Sequence, residues 1–240
     1  MGIESDPQPD ARVAPPLASL GHTGALIGVM LAVAVTGTIM TQTGTNPELP
    51  QAHTGLPIAR VWLQYLPLLS VSALLVSYVA RLFRPRNVLP ELLGRLWRGP
   101  TDLLVDVLYA LLTFTLIVVL ETLMRPLFAG RNAAVSPLLP STEAERLTWW
   151  LVASVVGFCE EVVYRGYLQT QLSAFTRSSA WGILLQALLF GLAHLDQGAG
   201  SALRIGGYGL LLGILARQRA SLLPGIVCHV GLDLAAGLLP

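Results

Sequence analysis

Apolar side chains run along this chain in long blocks separated by short polar stretches, and block length carries the first structural message. From about Leu20 to Thr43 no formally charged residue occurs. A helix crosses a bilayer with ~20 mostly apolar residues, so this block is long enough to span one. Further blocks run from about Val61 to Phe83, Leu103 to Phe128, Leu147 into the polar stretch after Arg165, Ser179 to Leu195, Ile205 to Ala216, and Leu222 to Leu239. The pattern predicts an all-α fold, a polytopic transmembrane helical bundle of about seven hydrophobic segments. The sixth block is short and glycine-rich, and it reads either as a span or as a re-entrant piece. Trp149 and Trp150 suit an interfacial anchor at the start of the fourth, and Ser141 stands where a cap for that helix is expected.

Polar residues divide the chain further. Residues 1–19 hold Glu4, Asp6, Asp10 and four prolines, and lack the basic start and apolar centre of a signal peptide. They are expected to be a disordered tail, with the first block a retained signal anchor. Residues 20–135 then form an amino-terminal group of transmembrane helices. Pro137, Pro140 and the run Ser141 to Glu143 mark the break before a second membrane group, residues 141–240. Arg81, Arg84, Arg86, Arg95 and Arg98 crowd the connection after the second block, which the positive-inside rule places in the cytoplasm. Alternation puts the amino terminus, the Arg177 turn and the Arg217/Arg219 turn on the same side. The expected location is the plasma membrane, multi-pass, with the lipid bilayer as the surroundings. Glu121 and Arg125, four residues apart, are expected to pair on one helical face.

Composition agrees with this picture and removes some functions. Hydrophobic residues make up 53% of the chain and charged ones 12%, where a soluble domain carries roughly a quarter charged. The mean hydropathy is +0.63. The net charge of +1 gives no clustered basic surface to neutralise phosphates, so no nucleic-acid partner is expected. Cys159 and Cys228 sit in apolar segments without CxxC or zinc-ligand spacing, and read as small buried hydrophobes.

An ionised side chain near the bilayer centre costs ~2.5–3.5 kcal/mol on insertion scales, so each one needs a reason. Six residues stand out: Glu160, Glu161 and Arg165 in the fourth segment, His194 in the fifth, and His229 and Asp233 in the seventh. Glu161 and Arg165 are spaced i, i+4, so the arginine can neutralise one carboxylate and leave the other, Glu160, as a base. Glu160 lies seventeen residues before Arg177 and His194 seventeen after it. A hairpin turning at Arg177 would level the two, with room for a water molecule between them. His229 and Asp233, also i, i+4, place an imidazole over a hydrogen-bond partner. His229 follows Pro224 by only five residues, a shallower depth than Glu160 occupies.

These residues form a pattern. Glu160-Glu161-Val162-Val163-Tyr164-Arg165 resembles an EExxxR motif, Phe190 to His194 an FxxxH motif, and His229 to Asp233 an HxxxN or HxxxD motif, in that order. Over about Ser141 to Leu239 the chain resembles the CAAX protease and bacteriocin-processing family, Abi-type, which includes the type II CAAX prenyl endopeptidases. The resemblance implies an intramembrane endopeptidase acting on a membrane-associated protein or peptide. By it, Glu160 and His194 activate the attacking water, His229 and Asp233 stabilise the oxyanion or orient its donor, and Glu161 and Arg165 support them. Several family members carry asparagine where this chain has Asp233, and an ionised aspartate cannot donate to an oxyanion. The chemistry is open between a glutamate-activated water and a zinc site of Glu160, His194 and His229 with water as the fourth ligand.

Two other readings use the same residues. A non-catalytic scaffold or bacteriocin-immunity-type protein would keep the charged network for folding or partner binding. A transporter would use it as a proton relay, although the sequence shows no inverted repeat.

Overall fold

The computed structural model describes residues 13–45, 57–82, 88–127 and 139–238. Helices dominate throughout: α1 Leu20–Thr43, α2 Pro57–Leu82, α3 Val88–Leu93, α4 Pro100–Met124, α5 Glu143–Glu160, a π-helical stretch Glu161–Leu168, α6 Gln169–Thr176, α7 Ser179–Leu192, a 3-10 turn Leu195–Gln197, α8 Ala199–Arg219 and α9 Leu223–Leu238. The chain is a polytopic helical bundle, and by length and composition four helical stretches can each cross a membrane: α1, α4, the continuous run Glu143–Thr176, and α8. The expected tail falls partly outside the described residues, at 1–12, as do Arg84, Arg86, Arg131 and Pro137.

Several local expectations change. The sixth block is longer than its apolar part suggested: α8 covers 21 residues and is, by length and composition, apolar enough to span. Thr142, not Ser141, is the N-cap of α5. Its side chain accepts from the Glu145 amide while Glu145 reaches back to the Thr142 amide, a capping box that satisfies two otherwise orphaned donors. Ser141 instead donates its amide and its hydroxyl to Glu145 Oε2. Glu121 pairs across helices rather than with Arg125: Arg204 Nε lies 2.9 Å from Glu121 Oε2, which also accepts from the Tyr208 hydroxyl.

The run from Glu143 to Thr176 is 34 residues long, on the order of 50 Å at α-helical rise, well beyond the ~30 Å hydrocarbon core. It turns back into α7 at Arg177, and the α8–α9 turn packs against its second half: a Cβ on Gly166 would stand 3.1 Å from the Leu222 Cδ1, with Leu92 on the same spot. A backbone bridge joins Gly94 to Ser221, and Arg95 N–H donates to the Ala220 carbonyl at 2.8 Å. Gly94 has φ +71, and a side chain there would strike the Ala220 carbonyl at 2.5 Å, so this junction needs glycine twice over. The fully buried Asp106 of α4 locks it, accepting from Arg95 and Trp97 and pairing with Arg219 at 2.7 Å. The arginine-rich connection and the α8–α9 turn thus lie at one end of the bundle, the alternation that the sequence predicted for them.

The core follows from this arrangement. α7 and α8 pack as an antiparallel pair, and α6 with α7 forms the hairpin that turns at Arg177. α5 packs on α9 and on α2. Buried apolar residues from the π stretch, Val162, Val163, Tyr167 and Leu168, join Leu26, Val79, Phe190 and Leu222 in one cluster. Towards the Arg177 turn, Gln171 is fully buried and donates to the Ala18 carbonyl and to Thr23, while accepting from the Leu17 and Ala18 amides. The approach to α1 is thereby fastened to α6.

Candidate active site

Every residue from Glu161 to Leu168 is buried, so the two charged side chains in this stretch must find partners inside the protein. They find each other. Arg165 Nη1 lies 2.8 Å from Glu161 Oε1, both side chains fully enclosed, as the i, i+4 spacing predicted. The winding there is π rather than α, a local widening that recurs at functional sites. The guanidinium also lies over the Phe190 ring, 4.3 Å from its centroid, a cation–π contact that helps offset its desolvation.

His229 enters from α9. The recess of the α8–α9 turn beside Gly166 resolves the depth mismatch in the sequence: six residues into α9, His229 is already level with the middle of the long helix. Its Nδ1–H donates to Glu161 Oε1 at 2.9 Å, and its Nε2 faces Glu160 Oε2 at 3.4 Å and Asp233 Oδ2 at 4.0 Å. The expected partner of His229 was Asp233, four residues on. The actual one is Glu161, from another helix, because α9 approaches so closely that a Cβ on Gly225 would stand 2.8 Å from Glu161 Oε2. Gly157 permits the same closeness one turn outward, where a Cβ would lie 3.0 Å from Val230 Cγ2 and 3.5 Å from Asp233 Oδ2. Trp149 completes the seam, its indole N–H donating to the Asp233 carbonyl at 2.9 Å.

His194 follows the last turn of α7. Its Nδ1–H donates to the Phe190 carbonyl at 2.7 Å, which directs Nε2 away from the helix as the acceptor of the neutral ring. The Phe190 ring sits between the two imidazoles, edge-on to both, with centroids 4.9 Å from His194 and 5.8 Å from His229. Asp233 lies within electrostatic reach of His229, Glu160, His194 and Glu161. All six residues singled out in the sequence therefore converge on one locus. Within it they divide by exposure: Glu161, Arg165 and His229 are buried, whereas Glu160 and Asp233 keep 23% and 31% of their side-chain surface. The second pair and the half-buried His194 are the most open to a substrate and water, and the Nε2 of His229 faces that open pair.

Sequence reasoning passed over one neighbour. Asp196, on the 3-10 turn just after His194, is half-buried. Burial pushes its carboxyl above the usual carboxylate range, opposed by the nearby His194 and by hydrogen bonds from the Gln197 and Asp196 amides. Its position two residues past a motif histidine was the available signal.

A three-ligand zinc centre does not fit these side chains as placed. Among the described residues no group of three His, Cys, Asp or Glu side chains is disposed to hold a metal ion. A cavity of about 300 Å³ opens between Leu17, α3, Gly166 and the α8–α9 turn. It is lined in part by Arg165, and neither Glu160 nor His194 reaches it.

Residues 142–235 match the family described as type II CAAX prenyl endopeptidase Rce1-like. No curated protein and no solved structure matches the chain.

Proposed function

We propose that this multi-pass membrane protein, whose residues 142–235 match the Rce1-like family of type II CAAX prenyl endopeptidases, is an intramembrane endopeptidase in which Glu160 activates the attacking water. The observation that carries this reading is the exposure split within one cluster. Arg165 neutralises the buried carboxylate Glu161, and the adjacent Glu160 stays accessible beside His229.

In this mechanism a water molecule held between Glu160 and the Nε2 of His194 attacks the scissile carbonyl carbon as Glu160 takes its proton. The carbonyl π electrons move onto oxygen. His229, when it carries both protons, gives Nδ1–H to Glu161 and aims Nε2–H at that oxyanion. Asp233 fixes the near side of the imidazole, a role open to an ionised carboxylate. Collapse of the intermediate breaks the C–N bond, and the proton on Glu160 passes to the leaving amine. The substrate is a membrane-associated protein or peptide, and prenylation of it is not required by any residue above. The enzyme resides in the plasma membrane with its amino terminus in the cytoplasm.

The test compares membrane proteomes of cells carrying the native chain and the Glu160→Gln variant. Uncut precursors accumulate in the variant at unchanged protein abundance. Identical proteomes across growth conditions would leave the scaffold reading standing. Cleavage by the purified protein is expected to survive exhaustive chelation, and its loss on chelation with recovery on added zinc would overturn the glutamate-only chemistry.

A further inference from the structure

The family match begins at residue 142, yet α1 reaches the site. We propose that α1 is a working part of the catalytic centre: Gly37 seats the turn Leu195–Gln197, and Asp196 on that turn is a positioning residue that fixes His194. This rests on the endopeptidase reading for its consequence but not for its geometry.

His194 stands where α7 has ended, so no helical hydrogen-bond ladder holds the residues that follow it. Besides two 3-10 backbone bonds, from Gln197 N–H to the His194 carbonyl at 3.1 Å and from Gly198 N–H to the Leu195 carbonyl at 2.9 Å, three contacts hold them. Its own ring is tied back to Phe190. The Asp196 carboxylate gathers the amides of its own turn, Asp196 and Gln197. α1 packs on the turn from outside, at a place where a Cβ added to Gly37 would lie 3.5 Å from the Asp196 Cβ and 4.0 Å from its Cγ. Those are van der Waals distances, so a methyl group would just fit at position 37 and any larger side chain would press on the turn. α1 turns most of its surface outward and is held along one stripe, Thr23, Leu26, Met30 and Ala34, and Gly37, one turn beyond Ala34, carries that stripe onto the Leu195–Gln197 turn. A histidine on a short turn needs such bracing, because a misplacement of about 1 Å at a reacting group costs on the order of a hundredfold in rate.

The geometric arm of the test needs no turnover. In a chain with the free cysteines Cys159 and Cys228 replaced by alanine, the pair Gly37→Cys and Asp196→Cys is oxidised in native membranes with copper phenanthroline. The Cβ separation suits a disulfide, and cross-linking is expected to be near complete. A control pair, Val35→Cys with Asp196→Cys, stays unlinked because Val35 points outward. Absence of the cross-link in the Gly37 pair overturns the docking of α1.

The positioning arm compares Asp196→Ala with Asp196→Asn at equal abundance. Alanine is expected to lower kcat about ten- to hundredfold with KM within about twofold, the mark of a group acting on the reaction and not on binding. Asparagine, which keeps an acceptor for the turn amides, is expected to recover most of that loss. Asp196→Ala is also expected to raise the acylation of His194 by diethyl pyrocarbonate, read by mass spectrometry without turnover. An alanine variant with native kcat, or one that changes neither kcat nor His194 reactivity, overturns the role of Asp196. A chain that cross-links and shifts its His194 reactivity but cleaves nothing keeps the geometry and removes only the endopeptidase reading.

Discussion

The two halves of this bundle solve the problem of living in lipid differently. In α1 and α4 only 22% of the apolar window is buried, against 56% in the run Glu143–Thr176 and 44% in α8. The amino-terminal helices are solvated by lipid, and each touches the rest along a narrow stripe: Thr23, Leu26, Met30 and Ala34 on α1, and Asp106, Ala110, Thr113 and Ile117 on α4. The second half buries its polar groups on purpose and pairs them across helices. Lipid offers no hydrophobic gain for helix association, so close packing and polar contacts must hold that half together. The lesson is that in this chain buried charge marks helix caps, helix junctions and the candidate site, and outward apolar surface marks none of them.

The largest expected effect is on cleavage. General-base catalysis contributes ~10²–10⁴-fold, so Glu160→Gln should lose about a thousandfold in kcat/KM while the purified protein keeps its thermal midpoint. Glu160 is partly exposed, which is why its loss should spare the fold. A Glu160→Gln chain that instead unfolded would move this carboxylate into the structural group and blur the contrast.

Next comes the buried pair. Removing one partner of an enclosed ion pair typically costs ~3–5 kcal/mol, because the other charge is left uncompensated. Arg165→Met should therefore lower stability by about that much in chemical or thermal unfolding in detergent. The double variant Glu161→Met with Arg165→Leu replaces both charges with apolar volume and should recover much of the loss. It should remain inactive all the same, since His229 then lacks the carboxylate that orients it. Recovery of both stability and cleavage would show that the pair serves the fold alone.

A smaller effect is expected at the α5–α9 seam. Gly157→Leu places a side chain where Val230 stands at 3.0 Å and Asp233 at 3.5 Å. Overpacking of this kind costs about 1–3 kcal/mol, and it should cut cleavage several-fold by moving His229 and Asp233 away from Glu160. A native rate in this variant would mean that the seam does not set the site.

How much of this was legible beforehand depends on whether a contact is local. The bounds of α1 follow from one charge-free block, and the Glu161–Arg165 pair from i, i+4 spacing, because both are properties of a single segment. The hairpin that equal spacing about Arg177 called for does turn at that residue. The partner of His229 was not legible. It depends on the α8–α9 turn being recessed beside Gly166 and held there by Asp106, two long-range facts that no local pattern encodes. The π winding over Glu161–Leu168 was hidden for a related reason: side-chain periodicity over eight residues barely separates it from α. The cross-helix pairing of Glu121 with Arg204 likewise overrode a local alternative, Arg125, that lies at the end of α4 and is exposed.

The smallest effects sharpen the comparison most cheaply, because neighbouring residues on one helix face the two environments. Leu111 of α4 is 58% exposed, and Ala110 beside it is 2% exposed, packed in a cluster with Ile117, Leu212, Leu215 and Cys228. Leu111→Ala exchanges one apolar surface for another against lipid, and is expected to change unfolding free energy by no more than about 0.5 kcal/mol, as surface substitutions do. Ala110→Leu forces new volume into the contact with α8 and α9, and is expected to cost about 1–3 kcal/mol. Equal effects at the two positions, measured by unfolding in the same detergent, would mean that α4 is not gripped along one stripe. The division of the bundle into a lipid-solvated half and a polar-paired half would then fail at its most local point, since the stripe on α4 is what joins Asp106 at one end to Glu121 and Arg204 at the other.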